Sequence, residues 1–356
     1  MSTNTTSNTN GWTKAADFQF SVGPWNLHTG ADPFGPPVRG ERELVASLAL
    51  FKKLGFSYIQ FHDDDAVPDD FSASQREQKA REIKHLLDEH GLKAEFVAPR
   101  LWEDARGVDG PVTSNDAKDR AWALARSQRS IDVARLLETD RLVWWPAREG
   151  TYIRESKDAV TSFGRMLEWT NALLEYGPEI KILGEMKPNE PMDAMYLPTP
   201  GHFLAFAHQT AAPERVGVLI ESAHAILAGL DPSEEFAFAL SQGKLWGVHL
   251  NDQNGLKYDQ DKTFGAVDLR RAFNQVDVLV RHGFGQNGEI VGLDVKAMRT
   301  QSLEKAHLHL AHSREIFLDL VQLCYSIDRE KWAQLVAERN YEGLERFIIA
   351  NLRGQG

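Results

Sequence analysis

Four acidic clusters recur along the chain, and each stands at the end of an apolar, strand-like run. They are Glu185-Met186-Lys187-Pro188-Asn189-Glu190-Pro191, Glu221-Ser222-Ala223-His224, the stretch Asn251 to Asp261, and Asp294-Val295-Lys296. The third closes on Lys257-Tyr258-Asp259-Gln260-Asp261, with two carboxylates two residues apart. Such a pair can grip one hard cation from one side. Asp-x-Asp by itself is common in solvated loops. Four acidic clusters at four successive strand ends describe something narrower, a metal site lined by one end of a barrel.

The elements that must position these residues follow from hydrophobic periodicity. Eight short runs read as strands: 18–25, 58–63, 94–99, 141–146, 180–187, 216–221, 245–250 and 289–296. Helical patterns lie between them. Leu44, Leu48 and Phe51 recur at i, i+4, i+7 with Gly55 as a stop, and Leu269, Phe273, Val276 and Val280 repeat the pattern with Gly283 as a stop. Further helices are expected near 74–90, 116–138, 156–176, 201–209 and 233–242. Strands alternating with helices argue for parallel βαβ units. Eight such units close into a (β/α)8 TIM barrel, which takes about 250 residues. The rival, an open doubly wound sheet, usually carries a Gly-rich phosphate turn after an early strand, and none is present. Residues 17–301 are expected to form the barrel. Residues 302–356 supply the last barrel helix and a short helical C-terminal extension, and the polar stretch 1–16 reads as a disordered tail.

Bulk properties bound the function. The 356 residues carry a net charge of −11, with 42% hydrophobic and 26% charged side chains. This is ordinary for a soluble globular protein. The acidic balance and lack of basic patches argue against a nucleic-acid partner, including the endonuclease use of clustered Glu, His and Asp. Cys324 is the only cysteine, which fits a reducing cytoplasm. No apolar core of a secretory signal is present, and no run approaches the roughly 20 apolar residues that span a bilayer.

Residues at the C-terminal ends of barrel strands converge on one site. Here these are Trp25; His62 and Asp65; Trp102; Trp145; Glu185 and Lys187; Glu221 and His224; His249; Asp259 and Asp261; and Asp294. Aromatics dominate the first half and metal-type ligands the second, the make-up of an apolar wall facing a charged floor. Single residues have plainer readings: His62 as a structural histidine, Lys187 as a surface lysine, Trp25 and Trp145 as core. His307, His309 and His312 do not share one helix face and read as part of a solvated helix.

The chain resembles the xylose isomerases of the actinobacterial type. The resemblance covers most of the barrel. It rests on Asp32-Pro33-Phe34-Gly35, on Phe61-His62-Asp63-Asp64-Asp65 with Pro68, on Arg148-Glu149-Gly150, and on Lys187-Pro188-Asn189-Glu190-Pro191. It continues in Glu221/His224 with Ala228-Gly229-Leu230, and in Gln253-Asn254-Gly255 through Asp261. Phe264-Gly265 and Asp268-Leu269-Arg270 complete it. The resemblance implies two divalent cations and no organic cofactor. Glu185, Glu221, Asp294 and position 249 would hold one; Glu221, His224, Asp259 and Asp261 would hold the other, with Glu221 bridging. Such ligation suits Mg²⁺, Mn²⁺ or Co²⁺. It further implies interconversion of an aldose and a ketose. His62 would act in ring opening, oriented by Asp65, and Lys187 would stabilise charge on O1. Trp25, Trp102 and Trp145 would form the wall. Phe34 would enter a neighbour's site in a homodimer or homotetramer.

Four departures stand out. His249 takes the place of a carboxylate ligand. Ala98-Pro99-Arg100-Leu101-Trp102 replaces a segment that is commonly Thr-Thr-Asn-Leu-Phe, so a hydroxyl pair is lost and an arginine gained. Pro146-Ala147 stands where two glycines are common, and the C-terminal extension is shorter than the arm that clasps a neighbour. A divergent sugar-active metalloenzyme, an epimerase or lyase, is therefore the alternative expectation, with a catalytically silent binder of metal and sugar as the third.

Overall fold

The computed structural model describes residues 11–32 and 34–355. Its centre is a closed barrel of eight parallel strands. In chain order these are β1 (Phe20–Val22), β2 (Tyr58–His62), β3 (Lys93–Ala98), β4 (Arg141–Trp144), β5 (Lys181–Glu185), β6 (Val216–Glu221), β7 (Leu245–Leu250) and β8 (Ile290–Leu293). Each pairs with its sequence neighbours, and β1 closes the ring on β8 through Phe20↔Val291, Ser21↔Gly292 and Val22↔Leu293. All eight expected strands are present. Five are shorter than the apolar runs, because the last residues of those runs leave the ladder and turn into the loops, while Val216–Glu221 and Leu245–Leu250 keep the full run.

A helix follows every strand: α1 (Leu44–Lys53), α2 (Ala73–Glu89), α3 (Ala117–Leu136), α4 (Ala159–Tyr176), α5 (Pro200–Ala207), α6 (Pro232–Ser241), α7 (Leu269–Arg281) and α8 (Leu308–Ser326). Their starts are written locally. The side chains of Asp116, Asp158, Thr199, Asp231 and Asp268 each accept a hydrogen bond from a backbone N–H of the first turn, satisfying a donor that the helix itself leaves free. Gly55 and Gly283 stand just beyond α1 and α7 with φ of +88° and +73°, a conformation that ends a helix cheaply only without a Cβ.

Strands buried on both faces read as continuous apolar runs, and Val216–Glu221 is buried throughout. The main core lies between the strands and the helices and includes Leu48, Phe51, Ile59, Ile182, Phe203, Val218, Phe236, Phe273 and Phe317. A smaller cluster, Phe96, Ala98, Val143, Leu183 and Leu219, packs separately against Trp25 and Trp246. These residues share strand parity with the site residues above them, so they point inward.

Beyond the barrel, α9 (Arg329–Ala337) and α10 (Tyr341–Leu352) form the C-terminal extension, and Arg270 of α7 pairs with Glu345 of α10. Of the expected tail, residues 1–10 lie outside the described residues. Thr13 is buried, and its hydroxyl donates to the Phe284 carbonyl at 2.8 Å, so residues 11–16 lie against the barrel rather than free of it. Among the described residues no helix is long and apolar enough to cross a membrane.

Candidate metal centre

Strand parity builds the site. Leu183 and Glu185 lie two apart on β5, as do Leu219 and Glu221 on β6 and Gly247 and His249 on β7. The inward register that puts Leu183 and Leu219 in the barrel interior thus brings the next inward side chain of each strand to its C-terminal mouth. Continuing by two yields Lys187 after β5, Asn251 after β7, and Asp294 and Lys296 after Gly292 of β8.

Glu185, Glu221, His249 and Asp294 offer ligand atoms that all lie within 4.8 Å of one another. His249 Nδ1 is 3.1 Å from Glu185 Oε1 and 3.9 Å from Glu221 Oε2. The Trp25 indole N–H donates to Asp294 Oδ1 at 3.1 Å, fixing that carboxylate from the wall. Burial disfavours charge on Glu185 and His249, but their attraction outweighs it, and Glu185 falls to about 2 while His249 rises to about 9. Glu221 is pushed well above the ordinary carboxylate range by burial and by repulsion from Asp259, Asp294, Asp261 and Glu185.

A second group, Glu221, His224 and Asp259, is drawn together as closely and shares Glu221 with the first. His224 Nε2 is 3.1 Å from Asp259 Oδ2 and 3.3 Å from Glu221 Oε1. The expected fourth member, Asp261, is not brought into it. The ammonium of the half-buried Lys296 lies on the buried Asp261 Oδ2, and the Asn251 amide donates to Asp261 Oδ1 at 3.1 Å. Lys187 is buried, and its ammonium donates to Glu190 Oε2 at 2.8 Å and Asp259 Oδ2 at 3.0 Å. Burial opposes both lysine charges, and the surrounding carboxylates more than restore them.

The wall is aromatic. The Trp25 and His62 rings are 4.3 Å apart, His62 and Trp102 5.2 Å, and Trp102 and Trp145 4.6 Å, the last two edge to face. Lys187 Nζ lies 5.7 Å from the centre of the Trp145 ring, so wall and floor meet there. His62 Nδ1 is 2.9 Å from Asp65 Oδ2, as the sequence suggests. Phe34 is 98% exposed and adds nothing to the wall of its own chain.

Several supports were not anticipated. Asn251 ties the shared ligand Glu221 to Asp261 by donating to Glu221 Oε1 at 2.8 Å as well as to Asp261, and its side-chain oxygen accepts from the Ala223 N–H at 2.8 Å. Arg126 grips Asp63 at 2.8 and 2.9 Å beneath the His62 turn. His309 corrects the solvated-helix expectation. It is buried, bonds the Asn26 carbonyl through Nε2 at 2.9 Å, and is lowered by that burial to about 4, so it is a neutral donor that steadies the Trp25 turn. Asking only whether the three histidines share a face could not find it, because its partner is 283 residues away.

A cavity of about 450 Å³ lies at the opposite end of the barrel, lined by Tyr58, Lys84, Glu95, Glu138 and Arg141 among others. Lys84 pairs with Glu138 at 3.0 Å and Arg141 with Glu95 at 3.6 Å, and among the described residues no converging ligand set faces it.

A family model described as xylose isomerase-like TIM barrel matches residues 48–285. The chain belongs to the xylose isomerase-like TIM barrel family. Similar solved structures include 3-keto-D-glucoside 4-epimerase, YcjR, from E. coli, 12% identical, covering 85% of this chain and 98% of that one with a TM-score of 0.59. D-psicose 3-epimerase from Clostridium cellulolyticum H10 is 14% identical, covering 86% and 98% with a TM-score of 0.60. The IolI protein with a bound zinc atom is 15% identical, covering 87% and 100% with a TM-score of 0.58. These likenesses establish the fold.

The residues of this xylose isomerase-like barrel fit a divalent cation. Asp259 Oδ1, in the second ligand group, is a buried carboxylate oxygen without a hydrogen-bond partner. Such an atom is costly unless something satisfies it. Five carboxylates, Glu185, Glu221, Asp259, Asp261 and Asp294, converge against two ammonium groups, leaving negative charge that a divalent cation would neutralise.

Proposed function

We propose that this protein is a metal-dependent sugar isomerase that interconverts an aldose and a ketose. The observation that carries the reading is the pairing of two ligand groups sharing Glu221 with an aromatic wall that runs from Trp25 to Trp145. Sugars present a hydroxylated edge and an apolar face, and such a pocket matches both. The motifs that resemble actinobacterial xylose isomerases, His62 with Asp65 and Lys187 through Pro191, fall at this mouth. A divalent cation held by Glu185, Glu221, His249 and Asp294 would supply Lewis acidity toward the substrate's vicinal oxygens.

The chain's own residues have separable tasks. Lys187, held by Glu190 and Asp259, points its ammonium at the place where charge would develop on O1. His62 lies between two tryptophan rings at the edge of the wall and meets the ring or anomeric oxygen as the sugar opens. Trp25, Trp102 and Trp145 exclude water, so that hydrogen passes from C2 to C1 without exchange while a proton passes from O2 to O1. Phe34, exposed on its own chain, enters a partner's pocket in a homodimer.

Epimerisation is the second reading. The first ligand group is complete with His249 in place of a carboxylate, and Asp261 is taken by Lys296. Two of the similar structures are named as sugar epimerases. One experiment separates the readings. The protein is incubated with Mn²⁺ and a panel of aldoses deuterated at C2. Ketose carrying the label at C1 supports isomerisation by hydride transfer. Label lost to solvent, or a product inverted at one carbon, favours proton transfer and the epimerase. No product from any pentose, hexose or ketose would overturn both.

A further inference from the structure

Arg100 intrudes on the His62–Asp65 pair. Its Nη2 lies 2.7 Å from His62 Nδ1 and 2.6 Å from Asp65 Oδ1, while Asp65 Oδ2 lies 2.9 Å from the same Nδ1. An imidazole nitrogen either carries a proton and donates or carries a lone pair and accepts. Nδ1 therefore cannot serve both neighbours. Asp65 does not depend on the ring proton: Oδ2 already accepts from the His62 backbone N–H at 3.1 Å, and Oδ1 from Arg100. A proton on Nδ1 would instead be set against a guanidinium N–H. The guanidinium is itself anchored. Its Nε lies 3.2 Å from Asp64 Oδ1, its Nη1 3.4 Å from Glu103 Oε2, and the Arg100 backbone N–H donates to Asp63 Oδ1 at 2.9 Å.

We propose that Arg100 is a positioning residue that holds His62 Nδ1 as a hydrogen-bond acceptor, so that His62 rests as the neutral tautomer with its proton on Nε2. No described residue bonds Nε2, which is left for the substrate. His62 then offers a sugar oxygen a donor, not a base, and Asp65 orients the arginine as much as the imidazole. The functional part rests on the sugar-site reading above; the tautomer does not.

The test is spectroscopic. The full chain, loaded with Mg²⁺ and labelled with 15N at histidine, is examined by long-range 1H–15N correlation at neutral pH, and the His62 signals are assigned by their loss in His62→Gln. The expected result is an unprotonated-type Nδ1 and a protonated-type Nε2, with the two exchanging places in Arg100→Met, where Asp65 becomes the only partner. The wild-type spectrum decides even if that variant fails to fold. A protonated Nδ1 in the wild type, or an unchanged tautomer in folded Arg100→Met, would overturn the proposal. Sugar turnover is measured separately, so loss of the functional reading leaves the spectrum interpretable.

Discussion

His249 Nδ1 lies 3.1 Å from Glu185 Oε1, on strands separated by β6, and both groups are buried. In the metal-free protein the pair is an ion pair, with His249 raised to about 9 from 6.5 and Glu185 lowered to about 2 from 4.5. A histidine with a raised folded-state value stabilises the fold fully below its unfolded value and loses that contribution as pH rises through the folded one. Melting of the chelated protein should therefore fall between pH 6.5 and about 9, and His249→Gln should lack that segment. Cation affinity should run the other way. An imidazole must shed its proton to ligate, so Mn²⁺ should bind more tightly toward pH 9 and release at least one proton at pH 7, read by calorimetry in two buffers of different ionisation enthalpy.

Lys187→Met should remove turnover without unfolding the chain. Losing one donor aimed at developing charge costs about 10²–10³-fold in kcat. The check is kcat beside the circular dichroism spectrum and Mn²⁺ affinity. A loss confined to KM would mean that Lys187 only binds.

Arg126 supports the His62 turn from below, with its side chain 5% and that of Asp63 8% exposed. Arg126→Met leaves the buried Asp63 carboxylate without its cation, and breaking a buried pair from one side costs about 3–5 kcal/mol. Urea unfolding should show that loss. A cost under about 1 kcal/mol, typical of a surface pair, would contradict the burial.

Phe34 sits in the loop closed by the Asp32–Gly35 bridge. If it seats in a partner, Phe34→Ala should weaken the dimer. Each buried Phe contributes about 1.5–3 kcal/mol, so sedimentation should show Kd raised at least about tenfold. A wild-type protein that stays monomeric at micromolar concentration would remove the partner.

The ligands were legible because strand periodicity is rigid: once Leu183, Leu219 and Gly247 face inward, Glu185, Glu221 and His249 must follow. Lys296 was not, since a lysine two residues beyond Asp294 looks like a solvated loop residue until the Asp261 loop folds over it. Asp261 itself has φ +46°, a backbone turn that no spacing rule announces, and it delivers the carboxylate to the lysine rather than to His224. Arg100 was visible as a gained charge, but its contact with His62 depends on two loops meeting across 38 residues. Local pattern fixes what a strand presents; loop closure decides which presented groups touch.

The Trp25–Asp294 hydrogen bond spans 269 residues and ties the first strand to the last ligand. Glu185 leaves the ribosome well before Asp294. At roughly 5–20 residues per second, the intervening segment takes on the order of 5–20 s to synthesise. Throughout that interval the nascent chain holds Glu185, then Glu221 and His249, without the residue or the strand that completes the ring. A cation held by Glu185, Glu221, His249 and Asp294 would find its full ligand set only after β8 has emerged, so chains truncated before β8 should bind Mn²⁺ more weakly than the full chain, keeping at most the Glu221, His224 and Asp259 group.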